Sequence, residues 1–358
     1  MIKILGVFNE ITNTTIPIEN FYVLNKNEFT KDAYSYYTHK KEAEKVIKSY
    51  DRGGLRKVFA MGDLFYIKRI LKLYNLIRTE QYDIIHTHHT ITSLLVIILT
   101  NFLRSNSKVV FTVHNDFNHY KLMQKLIFKM VLRNVDRIIC NSNNTKNSII
   151  GFCDYRKIDV IYNGVNIDKI PKPVKRDHSS VKFLFAGRLV PQKNIMLLLE
   201  TILTLHNENY DFEFFLVGDG PQMSLVKDFI KKNKLNNRVK IFGKVKRIEV
   251  YNLMNISDVF IVPSLFEGFC NAMVEAMLTK CIVLASNVEP LPEVSGGKEN
   301  AVFFDLNKSN HLYSSLKNIL INIEDYRLMA KKSRIFANSQ YSLDICATNH
   351  SLVYEKIR

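Results

Sequence analysis

The sequence lacks the features of a disulfide-stabilised or membrane-spanning protein. Its five cysteines are spread over 358 residues and form no Cys-x-x-Cys pair. An odd number at such distances argues against a disulfide framework and for a reducing compartment. Only a short apolar run precedes Asn9, so no secretory signal peptide is expected. The longest apolar stretch, 94–103, is about half the length of a spanning helix. We therefore expect a cytoplasmic protein, either free or peripheral on the inner face of the cell membrane.

Acidic residues are scarce relative to basic ones. The chain has 50 Lys and Arg against 34 Asp and Glu, which gives a formal net charge of +16, and the excess leans towards the first half. Such a charge predicts a polyanionic partner: nucleic acid, an anionic membrane or a phosphorylated substrate. The sequence has no zinc-finger, RRM or KH signature and no basic stretch interleaved with aromatic residues. No nucleic-acid partner is therefore expected.

The chain is long and apolar enough for two folded domains. Apolar residues make up 47% of it, and its length suits two domains of about 150 residues each. Short β-rich segments alternate with helical patterns and are apolar on consecutive residues, which is typical of parallel strands covered on both faces. These segments are 2–8, 83–88, 108–114, 137–141 and 159–161, then 182–186, 213–217, 239–242, 259–262, 282–285 and 301–304.

This alternation predicts an α/β fold with two doubly wound, Rossmann-like domains. The first would span 1–165 and the second 166–340, joined by a linker within 163–180 that is rich in Pro, Lys and Asp. A helical pattern near the end, about 341–358, is expected to pack back onto the first domain. Two such domains would face each other across a cleft between the carboxyl ends of their sheets, where ligands bind in these folds.

The most informative stretch reads Pro263-Ser-Leu-Phe-Glu267-Gly-Phe-Cys-Asn-Ala-Met-Val-Glu275. A strand ends here, a loop follows, and a helix starts near Asn271. Glu267 falls on the loop and Glu275 in the first turns of the helix. Free amides at such a helix start suit an anion or sugar hydroxyls. Spacing alone leaves open an alternative without a binding role, in which Glu267 is a solvated loop acid and Glu275 is a charge at the start of the helix.

The second half resembles glycosyltransferase family 4, whose signature is Glu, seven residues, Glu after a Pro-Ser and a Glu-Gly-Phe. Further blocks agree in order: Phe-Ala-Gly-Arg188-Leu-Val-Pro-Gln-Lys193, Val-Gly-Asp-Gly-Pro221, Ile-Phe-Gly243 and Pro-Glu-Val294. The first half matches more loosely, through Asp-Ile-Ile-His-Thr-His88, Thr-Val-His114 and Ile-Tyr-Asn-Gly-Val165. The resemblance implies a GT-B fold and a retaining, metal-independent transfer of sugar from a nucleotide-diphosphate donor.

The resemblance also assigns roles to individual residues. Arg188 and Lys193 would neutralise the departing pyrophosphate together with helix N–H groups, and Glu275 would bind the ribose hydroxyls. Glu267 and the amides of the next three residues would hold the donor sugar, and His114 would contact that sugar beside the acceptor. The expected catalytic residues are Glu267 and His114, and the expected donor-binding residues are Gly187, Arg188, Lys193, Gly268, Phe269, Cys270, Asn271 and Glu275.

No metal or other cofactor is expected. The sequence has no Asp-x-Asp-like pair where a divalent cation would bridge the donor phosphates, and cationic side chains would take over that work. His86 and His88 fall on one strand face, but no nearby Cys, Asp or Glu completes a zinc site. No Ser-His-Asp or Cys-His arrangement is visible. In this family the departing phosphate itself is thought to deprotonate the acceptor, so the protein mainly positions both substrates.

The chain departs from the family pattern near the expected sugar pocket. Many relatives have a Gly-Gly loop after the first strand, whereas segment 8–17 has no glycine, and a close backbone approach to a phosphate is harder there. Lys280-Cys-Ile-Val stands in place of Gly-x-Pro-Val, and Glu289-Pro290 in place of a second Gly-Gly. These changes leave the identity of the donor sugar undetermined, although we expect a UDP-sugar.

A basic stripe lies on the helical pattern 119–133. Lys121, Lys125, Lys129 and Arg133 recur at every fourth residue, flanked by Leu122, Leu126, Ile127, Met130 and Val131. Such a helix lies on an anionic membrane or covers an ordinary core, and the pattern does not separate the two. In the membrane case the acceptor would be a lipid-linked glycan, as in bacterial surface polysaccharide synthesis; otherwise it is a glycan. The alternative functions are a catalytically silent partner subunit and a sugar-nucleotide epimerase.

Overall fold

The computed structural model describes residues 1–9, 24, 28–36, 38, 43, 55–60, 66–172 and 180–358. It divides into two compact units: Met1–Gly164 with Leu343–Arg358, and Val165–Ser342. Each unit contains a parallel sheet with helices, so the predicted α/β class is confirmed. No helix among these residues is both long and apolar enough to cross a membrane.

The strands follow in two groups along the chain. They are β1 (Ile2–Phe8), β2 (Phe29–Ser35), β3 (Leu55–Ala60), β4 (Ile84–Thr87), β5 (Lys108–Val113), β6 (Arg137–Cys140), β7 (Ile158–Val160), β8 (Val181–Ala186), β9 (Phe212–Val217), β10 (Val239–Gly243), β11 (Val259–Val262), β12 (Ile282–Ser286) and β13 (Val302–Phe304). All strand pairs are parallel.

Helices connect successive strands. Those among the described residues are α1 (Tyr66–Glu80), α2 (Thr90–Phe102), α3 (Leu122–Asn134), α4 (Asn143–Ile149), α5 (Ile195–Asn207), α6 (Met223–Lys232), α7 (Arg247–Ile256), α8 (Asn271–Leu278), α9 (Leu291–Ser295), α10 (His311–Ile321), α11 (Ile323–Gln340) and α12 (Leu343–Ile357). The helix predicted over 119–133 begins at Leu122, because a 3-10 turn at Phe117–His119 precedes it.

The two sheets have the same strand order, except that the first has a seventh strand at one edge. The strand order is β3-β2-β1-β4-β5-β6-β7 in the first unit and β10-β9-β8-β11-β12-β13 in the second. In each sheet the order reverses at one place, between β1 and β4 and between β8 and β11. The loops that leave these strands diverge at that point and form a crevice at the carboxyl ends of the strands. Sites are therefore expected on the loops after these strands.

Apolar strand residues form the cores. One face of the first sheet, including Ile4, Ile84 and Val110, packs with Leu343 and Tyr354 of α12. The opposite face packs with α1, α2 and α3. The second unit has a continuous cluster in which β8 and β9 pack against α5. The ends of the second unit are paired, since Val165 N–H donates to the Tyr341 carbonyl at 2.7 Å.

Two strands, β2 and β3, were missed from the sequence. The β2 sequence has Lys31 and Asp32 at its centre, which breaks the apolar pattern. Both are nonetheless fully buried. Lys31 Nζ donates to the Leu24 carbonyl at 3.0 Å, and Asp32 accepts from the Tyr82 hydroxyl at 2.5 Å and from the Lys57 N–H at 3.0 Å. Hydrogen-bond partners from elsewhere in the chain thus compensate the cost of burying these two charged residues. The local sequence does not indicate that they are buried.

Candidate active site

Glycines fix the loop after β8 against the loop after β9. Gly218 has φ +129°, and a Cβ placed on it would lie 1.8 Å from the Gly187 carbonyl oxygen. The Gly187 N–H donates to the Val217 carbonyl at 3.0 Å, and the Leu189 N–H donates to the Asp219 carbonyl at 2.9 Å. The Gly-Asp-Gly motif therefore allows a close approach of two backbones. That approach holds in place the segment that carries Arg188.

A short 3-10 turn, Pro191–Lys193, ties this segment to the loop after β11. The Leu265 N–H donates to the Gln192 carbonyl at 2.8 Å, and Gln192 Nε2 donates to the Phe266 carbonyl at 2.8 Å. Lys193 ends the turn, and Glu267 follows Phe266 directly. These contacts bring together Lys193 and Glu267, which lie far apart in the sequence.

Lys193 and Glu267 form a buried ion pair at the start of α8. Lys193 Nζ donates to Glu267 Oε1 at 2.5 Å, and the Ser264 hydroxyl donates to the same oxygen at 2.7 Å. The side chains are 19% and 7% exposed. Burial lowers the pKa of Lys193, but the neighbouring Glu267 outweighs burial and the net pKa is raised. Lys193 is therefore cationic at neutral pH.

Cys270 lies beside this pair in a left-handed conformation, with φ 69°. Burial, with the nearby Glu267 carboxylate, raises the pKa of its thiol to about 12. The thiol is therefore protonated at neutral pH and unsuited to nucleophilic chemistry. The Phe269 side chain is buried and meets the Tyr341 ring edge-on at 5.5 Å between centroids. The Phe269 side chain therefore belongs to the core of the second unit.

Arg188 differs from Lys193 in its surroundings. Its side chain is exposed, and it makes no ion pair or hydrogen bond with the part of the chain that the structure describes. Its positive charge is close enough to Lys193 to act on that residue's pKa in the lowering direction. The two cations expected to act alike are therefore unequal, because Glu267 already compensates Lys193.

Glu275 lies on α8 and is held by two residues of α7. Its Oε1 accepts from Arg247 Nε at 3.1 Å, from Arg247 Nη2 at 2.5 Å and from the Tyr251 hydroxyl at 3.1 Å. Neither Arg247 nor Tyr251 stands out in the sequence as a site residue. The available signal was the four-residue spacing of Arg247 and Tyr251, which places them on one helix face. Nothing in that spacing points to Glu275.

Histidines cluster at the carboxyl ends of β4 and β5 in the first unit. His88 Nδ1 lies 3.3 Å from His114 Nε2, and the two rings are stacked at 5.5 Å between centroids. His86 contacts the Tyr354 hydroxyl of α12 at 2.6 Å and the Thr112 hydroxyl at 2.7 Å. No group of three candidate ligands among the described residues could hold a metal ion.

Burial keeps these histidines uncharged. It lowers the pKa of His114 to about 3, with a further contribution from neighbouring His89 and His350, and it lowers the pKa of His86 and His88 well below the usual range. His88 Nε2 is buried and has no hydrogen-bond partner within the described ranges. His114 therefore presents a neutral ring, with Nε2 held by His88.

The remaining expected site residues belong to the same loops. Gly187 follows β8, Gly268 follows Glu267, and Asn271 is the first residue of α8. The glycine-free segment after β1 lies mostly outside the described residues. Glu289 and Pro290 precede α9, and neither explains the choice of donor.

Comparison with known families connects both units to one type of enzyme. Residues 35–169 match the model of Glycosyltransferase Family 4, and residues 166–336 match that of Glycosyl transferases group 1. This chain belongs to the family 4 glycosyltransferases. The two matched regions meet at the boundary between the two units, so both halves of the glycosyltransferase are represented.

Individual relatives agree with this assignment. An uncharacterized glycosyltransferase of Methanocaldococcus jannaschii is 28% identical over 97% of this chain and 95% of its own. The Escherichia coli UDP-Gal:alpha-D-GlcNAc-diphosphoundecaprenol alpha-1,3-galactosyltransferase is 32% identical over 62% of each chain. The solved structure of Anabaena HepE with UDP and glucose has a TM-score of 0.84 at 17% identity, covering 99% of this glycosyltransferase and 100% of HepE. The structural likeness confirms the predicted fold.

Proposed function

We propose that this glycosyltransferase moves a sugar from a UDP-sugar to a lipid-linked glycan at an anionic membrane surface, with retention of the anomeric configuration. Synthesis of a bacterial surface polysaccharide is the process that fits this chemistry. The E. coli relative is named for a UDP-sugar donor and a diphosphoundecaprenol-linked acceptor. The observation that carries the membrane part of the proposal is the exposed face of α3.

Helix α3 has two apolar faces instead of one. Phe128, Val131 and Leu132 are buried in the core of the first unit. Large apolar residues are exposed on the opposite face: Leu122 (75%), Met123 (68%), Leu126 (50%) and Met130 (53%). The apolar residues that flank the basic stripe are thus divided between the two faces, because Val131 belongs to the buried face. A second, exposed apolar face has no role in covering the core.

Charge lies beside this exposed face. Lys121 and Arg133 are exposed, whereas Lys125 and Lys129 are half-buried. Lys129 Nζ lies 4.2 Å from the centroid of the Phe152 ring, so its stem packs on the protein. Helix α2, which packs on α3, adds exposed Ile91, Ile98 and Phe102. Apolar side chains beside basic ones suit insertion at an anionic lipid interface.

The residues proposed to bind the donor carry charges that suit the reaction. Arg188 and Lys193 would stabilise the negative charge that develops on the diphosphate as the glycosidic bond breaks. Glu267 would hold the donor sugar together with the amides of Gly268 to Cys270, and Glu275 would bind the ribose. Since two donors already occupy Glu267 Oε1, this carboxylate suits positioning. In the proposed mechanism the acceptor attacks on the face that the phosphate leaves, so the anomeric configuration is retained. A positioning role for Glu267 is consistent with this mechanism.

His114 would contact the donor sugar next to the acceptor. Its Nδ1 makes no hydrogen bond with the described part of the chain, whereas Nε2 is held by His88. A neutral imidazole in this state offers a single site to a sugar hydroxyl, as donor or as acceptor.

Two assays test the chemistry. Release of nucleoside diphosphate across a panel of sugar nucleotides would identify the donor, and NMR of the product would give its anomeric configuration. Inversion would refute the proposed mechanism. Conversion of the donor without any acceptor would indicate an epimerase, and no turnover with any donor would indicate a silent partner subunit.

A vesicle assay tests the membrane surface. Replacing Leu122, Leu126 and Met130 with Ser should sharply reduce sedimentation with anionic vesicles while hydrolysis of the soluble donor is kept. Replacing Lys121, Lys125 and Lys129 with Glu should act in the same direction, by about 1 kcal/mol for each basic residue lost. A matched control is the pair Leu328→Ser and Ile335→Ser, since both are exposed apolar residues of the second unit. Equal loss in the control, or unchanged binding in the α3 variants, would show that this face does not bind lipid.

A further inference from the structure

The two oxygens of the Glu275 carboxylate differ in the hydrogen bonds that they accept. Oε1 accepts three hydrogen bonds from Arg247 and Tyr251. Oε2 accepts none from the part of the chain that the structure describes. Each carboxylate oxygen has about two acceptor sites. The free hydrogen-bonding capacity of this side chain is therefore concentrated on Oε2.

Arg247 and Tyr251 restrict how Glu275 can move. Glu275 is 6% exposed and Tyr251 is 2% exposed. The Arg247 guanidinium lies over the Tyr251 ring, with Cζ 5.6 Å from the ring centroid. Tyr251 thus contacts Arg247 through its ring and Glu275 through its hydroxyl. A carboxylate held by a guanidinium fork and a buried phenol has one available orientation.

We propose that Arg247 and Tyr251 are positioning residues for recognition of the nucleotide's ribose. They saturate Oε1 and thereby direct Oε2 towards the vicinal 2′ and 3′ hydroxyls of the donor. Two hydroxyls match the two acceptor sites of that oxygen. This inference rests on the proposed function, which assigns Glu275 to the ribose. It adds that α7 determines the preference for a ribonucleotide over a nucleotide without these hydroxyls.

Calorimetry with two ligands, UDP and 2′,3′-dideoxy-UDP, tests the inference. The wild-type enzyme should bind UDP about 10- to 100-fold more tightly, as expected for hydrogen bonds to a charged acceptor. Tyr251→Phe and Arg247→Lys should reduce this ratio several-fold or more, through weaker binding of UDP and nearly unchanged binding of dideoxy-UDP. In turnover, the donor KM should rise while kcat changes little, because the ribose does not change during the reaction.

A purely structural role would give a different pattern. If these variants weakened both ligands equally, the ratio would be kept and the inference would be overturned. A wild-type enzyme without any preference for UDP would overturn it as well, since Glu275 would then not recognise the ribose. If the wild-type enzyme bound no nucleoside diphosphate at all, the proposed function itself would fail, which is a separate result.

One of these test variants and one additional control variant protect the test. Tyr251→Phe removes one hydroxyl and keeps the ring against Arg247, so it should fold even if changes at Arg247 do not. Arg238→Met is the matched control: it removes an arginine of the same unit that donates to Asp211 at 2.7 Å and does not contact Glu275. The control should keep the wild-type ratio. A fall in that ratio equal to the fall in the test variants would count against the inference.

Discussion

Replacing Lys193 with Met should destabilise the second unit through an unpaired charge. Lys193 Nζ lies 2.5 Å from Glu267 Oε1, and the Glu267 side chain is only 7% exposed. Removing one partner of a buried ion pair costs about 3–5 kcal/mol, mostly because the other charge is left uncompensated. The Ser264 hydroxyl still donates to Glu267 at 2.7 Å. We therefore expect the lower end of this range, about 3 kcal/mol.

Thermal unfolding measures this cost. For a unit the size of Val165–Ser342, about 3 kcal/mol corresponds to a decrease in Tm of about 6–12 °C. Adding Glu267→Gln to Lys193→Met should restore most of the lost Tm, because a neutral amide of similar shape replaces the unpaired carboxylate. Lys240→Met is the control, since Lys240 pairs with Glu213 at an exposed site and should cost no more than about 1 kcal/mol.

Steady-state kinetics measures the second consequence of the same change. Lys193→Met should lower kcat about 100-fold, as for loss of a preorganised electrostatic contact. An unchanged kcat would refute the role of this cation at the leaving group. A Tm that stays at the wild-type value, or that Glu267→Gln fails to restore, would refute the reasoning about the unpaired charge.

Four other outcomes can be measured on the same protein. Turnover should survive excess EDTA, because Arg188 and Lys193 supply the positive charge; complete loss that only Mg²⁺ or Mn²⁺ restores would contradict this. Glu275→Ala should mainly raise the donor KM, so an effect confined to kcat would argue against ribose binding. His114→Ala should lower kcat and leave binding of nucleoside diphosphate nearly unchanged in calorimetry. Burial lowers the pKa of His114 to about 3 and that of His350 to about 4. The unfolded chain therefore takes up more protons below about pH 6.5, and stability is full above that pH and falls towards pH 4 by about 1.4 kcal/mol per pH unit for each such histidine. Thermal melts from pH 7.5 to 4.5 should show this fall and a shallower slope in His350→Gln; a pH-independent Tm would contradict it.

Apolar strands could be predicted from the sequence because consecutive apolar residues within each segment indicate that it is buried. Strands β1 and β11 have the predicted bounds, and others differ by one or two residues. Strand β2 could not be recognised, because Lys31 and Asp32 depend on partners elsewhere in the chain. Local patterns record which residues are apolar and do not record which distant groups compensate a buried charge.

The site residues show the same division. The motifs that carry Lys193, Glu267 and Glu275 stand out in the sequence, but their pairings do not. Lys193 and Glu267 are 74 residues apart and meet where Gln192 connects one loop to the other. Arg247 lies in a run of basic residues, so nothing marks it as the partner of Glu275. These contacts follow from the strand order around β8 and β11, which one sequence does not reveal.

The helix α12 has a consequence for the order in which the chain folds during synthesis. The second unit is one continuous segment, Val165–Ser342, whereas the first unit consists of Met1–Gly164 and Leu343–Arg358. Residues of α12 complete the apolar cluster on one face of the first sheet. On the ribosome, the unit made first must therefore wait with part of that face uncovered until α12 emerges. The unit made second can complete its core earlier, so folding finishes in the reverse of the order of synthesis.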